Sequence, residues 1–380
     1  MARHEVEAPG AGVVARGREA WPDTLRVVII AGVIAMHAAT GYVVDVGWYY
    51  EERTSSEAWQ IGLTVPAFLG GLFALGPLFF VAGWLSAPSL ARKGPRAFAA
   101  GRLLRLGVPL LVFTFLIDPV ADYAGHRARG GRESLLDYLA NRTGARDTGP
   151  LWFVAVILLF SLGYAVWRHW RPVTGEPAEP RARDLVAAVG VIALVSFVVW
   201  QWSSLADDSC YNLKWAQWPQ GGVLFLVGIW AGERPWLDTW LPRRAGRLGW
   251  TVLGALVVLL GLAGLGLASD DVEVIAGSAN LATFAFAWCD GTIAVAGGLW
   301  LVAALRRRHP RSSWWRAAAA RSSYATYVIH PLVLVALMLL LRDWAAAPEA
   351  KFLVVAPLGV VLAYAVGYVL TRLPGVRRLL

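Results

Sequence analysis

The sequence predicts an all-α protein, a polytopic membrane bundle of about ten transmembrane helices with both termini in the cytoplasm. Composition, the spacing of apolar runs and the alternation of charge between loops carry that prediction. Of 380 residues, 57% are hydrophobic and only 16% charged, too little polar surface to clothe several soluble domains. A helix that is apolar all round has to face lipid or other helices. The 20 tryptophans fit anchoring at both headgroup levels, with others packed inside.

Taken in order, residues 1–20 are polar, contain Arg3, Arg16 and Arg18, and lack an apolar core or small-residue cleavage site. They read as a disordered cytoplasmic tail rather than a signal peptide, ahead of a single transmembrane domain over 21–380. Apolar runs follow at 25–46, 61–86, 103–121, 150–168, 185–203, 219–232, 250–268, 281–305, 323–341 and 352–371. All but the short sixth reach the roughly 20 residues that cross a hydrocarbon core. Prolines 66, 77, 109 and 331 fall inside or at the edge of these runs. A membrane tolerates them, and they can kink helices around a cavity.

Charge fixes the expected orientation. Loops after the second, fourth, sixth and eighth runs are basic, holding Arg92, Lys93, Arg96, Arg102 and Arg105, then Arg168 to Arg183, then Arg234 to Arg247, then Arg306 to Arg316. The opposite loops hold Asp45, Glu51, Glu52 and Glu57, then Asp207 and Asp208, then Asp270, Asp271 and Glu273, while 122–149 is mixed. This positive-inside alternation accounts for the net charge of +9 and argues against a nucleic-acid partner. The two cysteines give no disulfide framework, since Cys210 falls in an outer loop and Cys289 in a span. Arginine far outnumbers lysine, which occurs only at 93, 214 and 351. That bias and the absent targeting peptide point to a bacterial inner membrane.

Polar residues within apolar runs are the informative ones, because burying them is costly unless they serve a site. Arg26 and His37 are eleven residues apart, about three turns plus 20° of helix, so they share a face about 16 Å apart along the axis. They fit a track from a phosphate-binding entrance to a reaction centre near mid-membrane. They equally fit a snorkelling anchor and a hydrogen-bonded core histidine. His330 lies in the ninth run, which travels in the same direction as the first. Asp290 sits mid-span in the eighth, as a charge partner or as a structural hydrogen bond between helices. His4, His126, His169 and His309 fall in the tail or loops. No cysteine and histidine cluster has zinc spacing, and neither a phosphate-binding glycine loop nor a nucleophile elbow appears. Gly254, Gly261 and Gly264 read as helix packing.

Five motifs, in order and in the matching spans, resemble the acyltransferase 3 family of multi-span membrane acyltransferases. They are Asp23-Thr24-Leu25-Arg26 followed by His37; Gly76 to Trp84; Phe98 to Pro109 with Arg102 and Arg105; Gly149-Pro150-Leu151-Trp152-Phe153; and Tyr324 to Pro331. The branch most resembled contains glucan succinyltransferases of osmoregulated periplasmic glucan synthesis. Ala82 replaces a serine common in the family's second motif, so no serine nucleophile acts there. Ala155 stands where some members of the branch carry an acidic residue. Both departures leave substrate and branch open.

The resemblance implies an enzyme that moves a short acyl group from cytoplasmic acyl-CoA to a hydroxyl of a carbohydrate or other glycosylated acceptor. Acyl-CoA is then a substrate, no cofactor is permanently bound and no metal is expected. Arg26, Arg102 and Arg105 would meet the phosphates, because arginine forks suit phosphate. His37 would act as general base or as a transient acyl carrier, with Trp152, Tyr324 and His330 lining the cavity. The competing reading is a secondary transporter of a small metabolite using His37, His330 and Asp290 as a proton relay. The two halves of the chain show no related repeat of the kind many transporters carry.

Overall fold

The computed structural model describes residues 19–44, 47–141, 148–171, 179–203, 212–234, 236–268, 278–308 and 313–379. Of the expected tail over 1–20, residues 1–18 lie outside them, as do Asp45, Asp207, Asp208, Cys210, Asp270, Asp271, Glu273, His309 and Arg311. The described residues form helices and no strand. Among the described residues eight helical runs are long and apolar enough to cross a membrane, one of them the 72-residue stretch Glu57–Ala128 that holds two expected spans.

The helices are α1 (Trp21–Tyr42), α2 (Glu57–Phe73), α3 (Gly76–Arg102), α4 (Val108–Val112), α5 (Asp118–Ala128), α6 (Leu135–Asn141), α7 (Trp152–Trp170) and α8 (Ala182–Val199). They continue as α9 (Trp218–Glu233), α10 (Trp236–Thr239), α11 (Leu241–Ala268), α12 (Leu281–Thr292), α13 (Gly298–Arg307), α14 (Trp314–Leu340), α15 (Pro348–Leu370) and α16 (Val376–Leu379). Each expected apolar run is helical over most of its described residues, and three depart from the expected layout for physical reasons. The second run is broken at Ala74 and Leu75, where α2 gives way to α3. Pro77 has no N–H to offer the Phe73 carbonyl, so α2 ends there. The third run extends to Ala128 through two π-helical turns, 103–107 and 113–117. Pro109 removes the donor to the Arg105 carbonyl and its ring crowds that oxygen, so the turn before it widens. The seventh begins at Leu241 rather than 250. Arg243, Arg244 and Arg247 are good helix formers whose long stems let the charge reach a polar boundary.

Within α3, Gly94 adopts φ 75° and splits the helix, so Lys93-Gly94-Pro95 makes the tight return between the second and third runs. The preceding half of α3 pairs with α9, and the two run parallel. Cβ atoms at Gly83 and Gly228 would overlap the carbonyl oxygens of Phe225 and Phe80, so glycine at both positions is what lets the two backbones touch. This close pairing explains how α9, only 16 residues long, is held within the bundle.

The site is framed by α1, α14 and α15. His37 of α1 meets His330 of α14, and Gly41 meets Met338, so these helices run parallel as the sequence predicts. The Tyr364 hydroxyl of α15 donates to the Val27 carbonyl at 3.0 Å, and Gly359 faces Ile34, which makes α15 antiparallel to α1.

Candidate functional site

The centre grows from one local consequence of sequence. In α14 the Tyr327 carbonyl would accept the backbone N–H four residues on, but that residue is Pro331, which has none. A buried carbonyl must find another donor. His330, fully buried, supplies it, with Nδ1 2.6 Å from the Tyr327 oxygen. A carbonyl only accepts, so Nδ1 of His330 carries the proton and, in the neutral ring, Nε2 is left as an acceptor.

That Nε2 lies 3.1 Å from Nδ1 of His37, and the rings stack with centroids 5.1 Å apart. With His330 accepting, His37 donates through Nδ1–H. Two neutral imidazoles are thus ordered in one direction, with Nε2 of His37 as the free lone pair. Among the described residues nothing hydrogen-bonds that nitrogen. His37 is only partly buried, so it is the accessible member of the pair. It lies five residues before the end of α1, nearer the end remote from Arg26 than the mid-span position expected.

The outer face of His37 is covered by a residue that no motif or spacing singles out. Trp48, in the loop after α1, stacks on the imidazole with centroids 4.5 Å apart and 16° between planes. The loop that carries it is tied at several points. The Tyr49 hydroxyl donates to Asp118 Oδ1 at 2.7 Å, and Arg129 donates to the Tyr49 carbonyl at 3.0 Å. Gly125 leaves room for that carbonyl against α5, where any Cβ would overlap it. Further along, Lys351 of α15, only 2% exposed, donates to both Glu52 oxygens at 2.8 and 3.0 Å and to the Arg342 carbonyl at 2.9 Å. The Tyr50 hydroxyl donates to the same Glu52 at 2.9 Å; burial and the neighbouring carboxylate push that phenol above its ordinary range. Thr54 donates to Glu349 at 2.7 Å.

Other expected site residues are distributed less compactly. Tyr324 is on α14 nearly two turns before the centre, and among the described residues its buried hydroxyl has no partner. Trp152 is buried but faces Phe79, with centroids 6.5 Å apart. It is its neighbour Phe153 that meets Tyr327, while the Tyr327 hydroxyl donates to the Pro150 carbonyl. Asp290 is buried on α12, where Gln220 of α9 donates to it at 3.3 Å. That contact matches the interhelical hydrogen bond weighed from sequence, and no described hydrogen bond joins Asp290 to either histidine.

Arg26, Arg102 and Arg105 lie towards the opposite end, where Arg102 and Arg105 are neighbours. Trp21 of α1 packs on Trp84 of α3 at 5.1 Å, and Arg102 Nη2 donates to Ser86, two residues further along α3, at 2.8 Å. Arg102 also lies over the Phe98 ring at 5.1 Å. A charged neighbour that acts on it is another cation, Arg105, which is exposed on the widened π turn. Arg26 pairs with Asp23 at 2.5 Å, Arg168 with Glu233 and Arg306 with Glu19 and Asp238. Among the described residues no carboxylate pairs with Arg102 or Arg105. Two like charges held together, one of them half-buried, make a ready anion-binding element.

Sequence reasoning passed over Trp48, Tyr49, Asp118, Tyr327 and Ser86. Asp118 carried a usable signal, an acid within an apolar run. Trp48 carried none, because a loop residue reaches a helix centre only through the tertiary fold. Among the described residues no group of three or more histidine, cysteine, aspartate or glutamate side chains is placed to hold a metal ion.

A family model described as an acyltransferase domain matches residues 19–372. No curated protein and no solved structure matches the chain.

Proposed function

The chain belongs to the acyltransferase 3 family of membrane acyltransferases, and from that premise we propose that it moves a short acyl group from acyl-CoA to a hydroxyl of a carbohydrate or other glycosylated acceptor. The observation that carries the reading is the ordered His330–His37 pair, which leaves the accessible Nε2 of His37 as a base. The acceptor O–H gives its proton to Nε2 as its oxygen attacks the thioester carbonyl. The C–S bond then breaks, and the departing thiolate of CoA takes the proton back from the imidazolium. Direct transfer needs no acyl-enzyme, in keeping with Ala82 in place of a serine.

The donor enters at the arginine end, the cytoplasmic side by the positive-inside pattern. Its phosphates meet Arg102 and Arg105, with Arg26 on the path towards His37. The extended pantetheine arm suits the roughly 16 Å of α1 between Arg26 and His37. The acceptor approaches beneath the Trp48 loop. Its assignment to the carbohydrate class follows the glucan succinyltransferase branch that the motifs resemble.

Binding of acetyl-CoA and succinyl-CoA to detergent-purified protein tests the donor, with Arg102→Ala as control. A charge-assisted hydrogen bond contributes about 1.5–3 kcal/mol, so the variant binds about 10- to 150-fold more weakly, as does free CoA. In the same preparation His37→Ala retains binding and loses transfer. Folded protein that binds neither thioester would shift the assignment to a transporter.

A further inference from the structure

The glycines Gly254, Gly261 and Gly264 of α11 read from sequence as a helix-packing face, yet a Cβ at any of them would meet nothing within 4 Å. Gly254 instead forms the floor of a groove between α11 and α12. It adjoins a second hollow of about 360 Å³ against α8, the two sharing Thr251, Trp288 and Thr292. From Arg244 to Val258, both on its wall, the groove follows α11 for about 21 Å. That exceeds the roughly 15 Å hydrocarbon depth of one leaflet.

The groove has two chemically different ends. Along most of its length the walls are apolar, and its two threonine hydroxyls are already committed to backbone, Thr251 to the Arg247 carbonyl at 3.0 Å and Thr292 to the Trp288 carbonyl at 2.7 Å. At the other end stand Arg244 and Arg247, three residues apart and so on one helix face. Arg244 lies over the Trp240 ring at 5.7 Å. Among the described residues no carboxylate pairs with either arginine.

We infer that this groove is a binding site for an anionic phospholipid of the bilayer, its phosphate on Arg244 and Arg247 and one acyl chain along the Gly254 face. Basic pockets between transmembrane helices recognise anionic headgroups in this way. The apolar length requires a tail, so a free phosphate meets only half of the site. The missing Cβ at Gly254 sets the depth of the chain slot. The site is separate from the histidine pair and does not rest on the proposed reaction.

Native mass spectrometry of the full chain, offered phosphatidylglycerol and phosphatidylcholine with the same acyl chains, tests it. The expected result is at least about tenfold preferential retention of phosphatidylglycerol, about 1.4 kcal/mol. That preference disappears in the Arg244→Ala/Arg247→Ala double variant, while Gly254→Leu weakens retention of the lipid without touching the charges. Both variants keep the wild-type melting temperature and acyl-CoA binding. Equal retention of the two lipids would overturn the inference. So would full displacement by inorganic phosphate, or a lipid-free dimer that Gly254→Leu breaks.

Discussion

Replacing His330 with leucine isolates what the second histidine does. Leucine fills a fully buried site but offers His37 no acceptor, and it leaves the Tyr327 carbonyl without the donor that Pro331 cannot supply. His37 then loses the partner that orders it and its ring is free to turn beneath Trp48. Loss of a partner that orients a functional histidine costs about 10- to 100-fold, which is about 1.4–2.7 kcal/mol of transition-state stabilisation. Glutamine restores an acceptor through its side-chain carbonyl, so His330→Gln should recover most of that loss. Release of CoA thiol from acetyl-CoA or succinyl-CoA, with a mixture of oligosaccharides as acceptors, gives the rates. Binding of the thioesters, measured alongside, should not change, since the arginine end is untouched. A second readout does not depend on turnover: nitrogen-15 NMR of histidine-labelled protein should show both His37 and His330 protonated at Nδ1. Wild-type rates in His330→Leu, or His37 protonated at Nε2, would refute the ordered pair.

Two further perturbations test the scaffold that holds this site. Lys351→Met leaves Glu52 unpaired beside Tyr50; because Glu52 is 29% exposed and water can reach it, the cost should fall to about 2–3 kcal/mol, below the full range for breaking a buried pair. A lower melting temperature and reduced transfer with intact acyl-CoA binding are expected, and unchanged melting would show that the clamp does not hold the Trp48 loop. Gly83→Ala puts a methyl into the Phe225 carbonyl and should cost at least about 1–3 kcal/mol through separation of α3 from α9. Gly261→Ala, on the open face of α11, should be neutral or gain up to about 1 kcal/mol from helix propensity; equal thermal shifts in the two variants would contradict the packing described.

The sequence by itself determined the class of fold and the helical character of each apolar run, most of them to within a few residues, and it singled out the two histidines. Those features are local: a run of apolar residues meets its backbone hydrogen bonds within itself, and a polar residue inside it is conspicuous because it is costly. Even the direction of the His330 ring follows from its neighbour Pro331, although its meaning emerged only with the Tyr327 carbonyl in view. Boundaries were least legible where arginines extend a helix past its apolar core, as in α11, or where a proline widens a turn, as before Pro109. The tertiary structure alone decided that His330 meets His37 across 293 residues of chain, that Trp48 folds back to cover the pair, and that Gln220 takes Asp290. It also separated glycines that look alike in sequence, with Gly83 and Gly228 holding two backbones together and Gly254 opening a groove. Which helix stands opposite a side chain depends on how all the faces pack at once, and local periodicity carries no record of that partner.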